Sequence, residues 1–469
     1  MAICPTMTDT VSSNAPTQPD GERNRLSARA GRYARVGSGM GGIAAKMAAN
    51  RLLGRELNTT ENAAEIAAAL GNLKGPIMKV AQLIATIPEA VPAEYAAELS
   101  QLQNDAPPMG KAFVKRRMVA ELGRGWEQKF EAFDKEPVAA ASLGQVHRAR
   151  VAGMGDVAVK LQYPDMASAV EADISQLNMV FSVFKRMESA IDASEIKEEI
   201  AERVREELEY EREAKHARLY ADILKDEPLV RVPSVDADLS TNRLLVLEWL
   251  EGRKLLTFKE APEPDRNRLA TAMFRAWWHP FAHYGVIHGD PHLGNYTAAT
   301  DEDGSPTHLN LLDYGCIRIF PADFVQGVID LYHGILADDR DRIMHAFQTW
   351  GFRGLTQELA DILTVWARFI YGPLLDDRVR TIADGIKPGA YGREEAFKVH
   401  QELRAKGPVT IPREFVFMDR AAIGLGSVFL HLDARLNFYR MFNEEIEAFD
   451  RDILATRQAE AMTRVGLKG

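Results

Sequence analysis

The stretch His288-Gly289-Asp290-Pro291-His292-Leu293-Gly294-Asn295, followed 18 residues after Asn295 by Asp313-Tyr314-Gly315, constrains this chain more than any other feature. Gly-Asp-Pro and Asp-Tyr-Gly are each ordinary turns when they stand alone. In this order and at this separation they supply what phosphoryl transfer from ATP requires: a carboxylate near the attacking oxygen and hard oxygen ligands for Mg2+ beside the phosphates. Asp290 lies five residues before Asn295, and Asp313 follows the apolar, strand-like Asn310-Leu311-Leu312.

That spacing matches the catalytic loop of kinases, and Asp313 matches the metal-binding Asp of their Asp-Phe-Gly element. Upstream, Val157-Ala158-Val159-Lys160 fits the strand lysine that contacts the α- and β-phosphates. A strand-end lysine is otherwise a solvated charge. Here it lies downstream of Ala139-Ala140-Ala141-Ser142-Leu143-Gly144-Gln145, where small residues let backbone N–H groups approach an anion. Taken alone, that segment reads as a tight hairpin.

At 469 residues the chain is long enough for two or three cores, or for one bilobal catalytic unit with an extension. The only cysteines, Cys4 and Cys316, are too few for a disulfide framework, so a reducing, cytoplasmic compartment is expected. A formal charge of -10 argues against nucleic acid as a partner. No stretch reaches the roughly 18 apolar residues of a membrane span, and the N-terminus lacks the layout of an export signal.

Residues 1–25 are rich in Thr, Ser, Pro and Asn and are expected to be a disordered tail. A helical extension over 26–125 includes the periodic run Ile66, Leu70, Leu73, Ile77, Val80 and Ile84, with a break at Pro107-Pro108. β texture marks 130–161, helical periodicity runs from Ala167 through Leu224, and Arg243 to Trp249 reads as a buried strand. Beyond Pro264 nearly everything reads as helical apart from Asn310-Leu311-Leu312. The expectation is an α+β fold with a small β-containing lobe over 126–250, a mostly helical lobe over 251–469, and a cleft between them.

Together these features resemble the UbiB/AarF/ADCK family of atypical kinases. Pro137 to Ala149 resembles the alanine-rich loop that replaces the glycine-rich loop of protein kinases. Lys79-Val80-Ala81-Gln82 is similar to that family's Lys-x-Gly-Gln signature, and Glu207-Leu208-Glu209 to its Glu-x-Asp element. The resemblance runs from about Gly71 to Phe320, and its nearest branch is the one associated with ubiquinone biosynthesis. It implies a protein-kinase-like fold with the helical extension laid over the cleft. It also implies that Ala139, Ala140, Ala141, Ser142 and Lys160 contact ATP, with Glu213 holding Lys160. Glu248 and Trp249 would belong to the hinge beside the adenine, and Asn295 and Asp313 would take Mg2+. Asp290 would be the base or orienting carboxylate, Lys79 would reach Glu207 and Glu209, and Gln82 would face the nucleotide loop. Ala81, Glu209, Tyr314 and Leu293 depart from the family pattern, and Ala81 and Glu209 leave the Lys79 geometry least defined.

Between Glu22 and Arg55 stand eight basic residues against one acid, interleaved with Leu26, Tyr33, Ile43, Met47 and Leu52. This segment either lies on an anionic membrane surface, as basic amphipathic helices do, or docks on the acidic protein itself. The first option would place the protein peripherally at the inner face of a membrane, near quinone-precursor lipids and quinone-biosynthesis proteins. Three functions compete: an ATP-hydrolysing atypical kinase, a small-molecule phosphotransferase of the aminoglycoside or choline kinase type, and a nucleotide-dependent scaffold. The alanine-rich loop and the Lys79 helix favour the first.

Overall fold

The computed structural model describes residues 109–141, 143–171, 174, 201–384, 399, 402, 406 and 412–468. The tail, the basic segment, the helix bearing Lys79 and Gln82, and Ser142 lie outside the described residues.

Helix α1 (Lys111–Leu122) precedes strands β1 (Ala132–Phe133), β2 (Ala139–Ala141), β3 (Gly144–Val151) and β4 (Gly155–Gln162). Helix α2 (Tyr210–Ile223) follows, then β5 (Val230–Arg231) and β6 (Leu244–Glu248). The small lobe is an antiparallel sheet of order β1-β3-β4-β6, with β2 paired on β3. In β6 the period-2 alternation of a strand sends side chains to both faces. Leu244 and Val246 join a core with Val114 and Met118 of α1, whereas Leu245 and Leu247 join the core of α2 and the large lobe. Helix α1 falls within the segment assigned to the extension, yet it packs on the small sheet. Its buried Arg117 donates to the carbonyls of Gln162 (3.2 Å) and Tyr163 (3.3 Å) at the end of β4.

The large lobe begins with β7 (Arg253–Lys254) and the long helix α3 (Glu263–Tyr284). Glu263 and Asp265 in the first turn of α3 suit the helix dipole, and Gly285 ends it with φ of +64°, its N–H bonding to the Phe281 carbonyl at 2.9 Å. Strands β8 (Val286–His288), β9 (Tyr296–Thr300), β10 (Pro306–Leu311) and β11 (Ile317–Ile319) follow. They make one sheet of order β5-β10-β9-β7 and a β8-β11 pair. Helices α4 (Ala322–Ala337), α5 (Arg340–Thr349), α6 (Gln357–Tyr371), α7 (Arg413–Leu432), α8 (Phe438–Ile446) and α9 (Arg451–Arg464) complete the lobe.

The α+β, two-lobed expectation holds. Two details differ. Strands β8, β9 and β11 are extra to the strand-like 310–312: β8 and β11 are three residues each and pair across some thirty residues, as in Ile317↔His288, while β9 forms a hairpin with β10. The helical run expected through Leu224 is interrupted: the chain turns at 207–208 and restarts at Tyr210, with Glu209 at φ −100°, ψ 79°. Among the described residues no helix is long and apolar enough to cross a membrane.

Candidate active site

Lys160 lies on β4, held laterally by the pairings Val146↔Lys160 and Lys160↔Leu245. Its Nζ donates to both carboxylate oxygens of Glu213, at 2.7 and 2.9 Å, and sits 3.6 Å from Asp313 Oδ1. It also lies 5.1 Å over the ring of Tyr210. Glu213 arrives there because α2 buries one stripe, Tyr210, Glu213, Ala214, Ala217 and Tyr220, at the three- and four-residue spacings of an amphipathic helix. Burial works against the charge on Lys160, but the carboxylates of Glu213 and then Asp313 raise its pKa well above the ordinary lysine value. Burial, and next the neighbouring Asp313 carboxylate, push Glu213 up to about 7 against the pull of Lys160.

The alanine-rich segment is a hairpin, with Ala139 to Ala141 forming β2 against Val146 to Gly144. Ala139 and Ala140 are exposed toward solvent, and Ala141 is half-buried. A Cβ on Gly144 would lie 2.2 Å from the Leu161 carbonyl oxygen and 2.8 Å from Tyr210 Oη, so glycine permits the close approach of this hairpin to β4.

The polar loop of the large lobe is built around His288, which is buried at the end of β8. Its Nδ1 accepts from the Asp290 backbone N–H at 3.3 Å, which leaves Nε2–H to donate to the Asp313 carbonyl at 2.8 Å. Asn295 Nδ2 donates to the Asp290 carbonyl at 3.0 Å, so its Oδ1 remains as an oxygen donor. Gly315 N–H donates to Asp313 Oδ1 at 3.2 Å. Tyr314 is fully buried, and its hydroxyl donates to the Leu311 carbonyl at 2.9 Å, which accommodates Tyr where Phe is usual. His216 of α2 holds the Tyr314 carbonyl at 3.2 Å and is pushed down to about 3, chiefly by burial.

Of the other residues singled out, Glu207 reaches this loop, with Oε1 3.9 Å from Cys316 Sγ, while Glu209 is exposed at the start of α2. Glu248 turns its carboxylate to Arg231 (2.5 Å) and to the Ser234 hydroxyl (3.1 Å). The Trp249 ring lies under the Arg148 guanidinium at 4.8 Å, the backbone N–H of Trp249 donates to the Asp156 carbonyl at 2.9 Å, and its buried indole N–H has no protein partner among the described residues. The backbone N–H of Glu248 is likewise taken, by the Ser234 carbonyl at 2.8 Å.

The sequence reading missed His288, His216 and Tyr210, and also Glu206, which gathers Arg203, Arg212 and Arg318. Arg203 and Arg212 are near Glu206 in the chain, but Arg318, which ties it to the large lobe, is far along it. For His288 a signal existed: it is the first residue of the stretch that contains Asp290.

An ABC1 atypical kinase-like domain model matches residues 101–347. The chloroplastic Activity of bc1 complex kinase 8 of Arabidopsis thaliana is 28% identical over 414 residues, covering 82% of this chain and 53% of its own length. The mitochondrial atypical kinase COQ8 of Saccharomyces cerevisiae is 29% identical over 254 residues, covering 54% of this chain and 50% of its own. The chain thus spans about half the length of these curated relatives. Among solved structures, the complex of Rv3197 with erythromycin from Mycobacterium tuberculosis is similar with a TM-score of 0.53 at 25% identity, over 87% of this chain and 97% of that one.

Proposed function

Because this chain belongs to the ABC1 atypical kinase-like family, we propose that it binds Mg-ATP between its lobes and transfers the γ-phosphoryl group to water or to a small-molecule, lipid or protein acceptor. The observation that carries this reading is the convergence of Lys160, Glu213 and Asp313, from β4, α2 and the end of β10, within 3.6 Å of the lysine ammonium.

In this reading Lys160 binds the α- and β-phosphates, and Glu213 fixes the direction of its ammonium. The Ala139–Ala141 hairpin covers the phosphates, and the Leu247–Trp249 segment forms the hinge beside the base. Asp313 and Asn295 offer a carboxylate and an amide oxygen, a hard-oxygen pair of the kind Mg2+ selects. When bound, the ion neutralises charge developing on the phosphate oxygens. Asp290, held by Asn295 and His288, orients the attacking hydroxyl or water and receives its proton. The resemblance of the motifs to the ubiquinone-associated branch makes support of isoprenoid-quinone biosynthesis the accompanying role, with Lys79 gating the site through Glu207 or Glu209 and Gln82 facing the nucleotide loop.

The test is ATP turnover by the purified full chain, with and without anionic liposomes and quinone precursors, followed by mass spectrometry for a phosphorylated product. Asp290→Asn is expected to lower turnover by more than it lowers nucleotide affinity, because its task belongs to the transition state. A variant that hydrolyses ATP at the wild-type rate would remove Asp290 from this role. Nucleotide binding with no turnover under any condition would favour a scaffold.

A further inference from the structure

His279 and His283 stand one turn apart near the end of α3 and therefore share a face. Across from them, α8 presents Glu445. His279 Nδ1 lies 3.1 Å and His283 Nε2 3.2 Å from the same carboxylate oxygen, Glu445 Oε2. The three candidate donor atoms all lie within 4.8 Å of one another. From this arrangement we propose that His279, His283 and Glu445 form a binding site for Zn2+ or a similar borderline divalent cation, separate from the nucleotide cleft.

The simpler alternative is two imidazole N–H groups sharing one carboxylate. Tetrahedral zinc with bonds of about 2.0 Å separates its ligand atoms by roughly 3.3 Å, so the two separations found here suit an ion as well as they suit hydrogen bonds. Two observations favour a cation. Burial is graded: the Glu445 side chain is 6% exposed, while those of His279 and His283 are 34% and 25% exposed. An ion can therefore enter, and a water can fill the fourth position of an N2O set. The surrounding charge is also suitable. Arg275 is shared among Glu445 (3.5 Å), Glu444 (3.6 Å) and Glu227 (3.9 Å), so with Arg457 there are three carboxylates against two guanidiniums.

Of the outer partners, Arg275 fits a bound ion and Arg457 competes with it. Arg275 takes Glu445 Oε1, which leaves Oε2 as the ligand atom, in the way that second partners orient metal-binding carboxylates. Arg457 lies 3.2 Å from His283 Nδ1 and donates to it, so in the ion-free protein His283 carries its proton on Nε2. Coordination through Nε2 moves that proton to Nδ1 and displaces Arg457. The guanidinium already lies 5.7 Å over the Tyr284 ring, which can keep it. Because α3 runs through Gly285 into β8, a bound ion would brace the helix that delivers His288 and Asp290.

Calorimetry with ZnCl2 on the metal-stripped full chain is the test, together with the visible spectrum of the Co2+-loaded protein. One Zn2+ per chain is expected, weakened by about tenfold or more in His279→Ala and in His283→Ala. Arg457→Ala should bind more tightly, since the competing donor is gone. Nitrogen-ligated, four-coordinate Co2+ bands should appear in the wild type and vanish in both histidine variants. No stoichiometric binding, or unchanged affinity in both histidine variants, overturns the site. If the variants do not fold, the wild-type Co2+ spectrum still decides, because bands of an all-oxygen, six-coordinate ion would overturn it.

Discussion

His288 and Asp313 are joined by a hydrogen bond of 2.8 Å from imidazole Nε2–H to backbone carbonyl, and the other nitrogen of the same ring receives the N–H of Asp290. One buried side chain thus fixes the distance between the loop bearing Asp290 and the loop bearing Asp313. His288→Ala would leave a buried carbonyl without its donor and a ring-sized void. The expected cost is about 2–4 kcal/mol in denaturant unfolding, with a fall in ATP turnover. A loss below about 0.5 kcal/mol, within the range of an ordinary surface substitution, would show that the two loops are held by other contacts.

The pH dependence of stability should carry the signature of Glu213. Its folded-state value of about 7 lies above the 4.5 of a free glutamate, so the native state holds this proton more tightly than the unfolded chain. The stability it contributes is complete below about pH 4.5 and is lost as pH rises toward 7. Relative to Glu213→Gln, the wild type should lose at most about 3 kcal/mol across that window. Parallel stability profiles for the two proteins would contradict the upward shift.

Asp313→Asn keeps the shape of the side chain but removes one negative charge 3.6 Å from Lys160. ATP affinity in the presence of Mg2+ should fall, whereas affinity in excess chelator should change little, because the lost group serves the metal. Titration calorimetry with and without Mg2+ separates the two. Equal Mg-ATP affinity in variant and wild type would take Asp313 out of the metal site.

Gly144→Ala places a methyl 2.2 Å from a backbone carbonyl of the neighbouring strand, which cannot rotate away. The β2–β3 hairpin must lift from β4, at a cost of about 1–3 kcal/mol. Nucleotide affinity should drop along with the melting temperature. A variant with wild-type affinity would show that the hairpin does not cover the phosphates.

The sequence displays the order of Lys160, Asp290, Asn295 and Asp313, because each belongs to a short motif whose spacing is set locally. Val157 to Val159 is legible as a strand from its apolar run, and α3 only as part of the helical texture beyond Pro264. Strands β8 and β11 are not legible: three residues carry no period, and their pairing joins residues some thirty apart. Nor does the sequence show that Glu248 and Trp249 spend their side chains on Arg231, Ser234 and Arg148, because those contacts exist only after the sheet has formed. His279 and His283 carry helical spacing, but their partner Glu445 is 162 residues beyond His283 and has no local mark.

Strand β6 is a party wall between two cores. Val246 faces the side lined by α1, while its neighbour Leu245 faces α2 and is the register partner of Lys160. A methylene trimmed at Val246 lets the common backbone settle toward the vacated space, and Lys160 moves with the strand beside it. The aim of the lysine is therefore set from behind the sheet as well as from in front, by packing that no ligand touches.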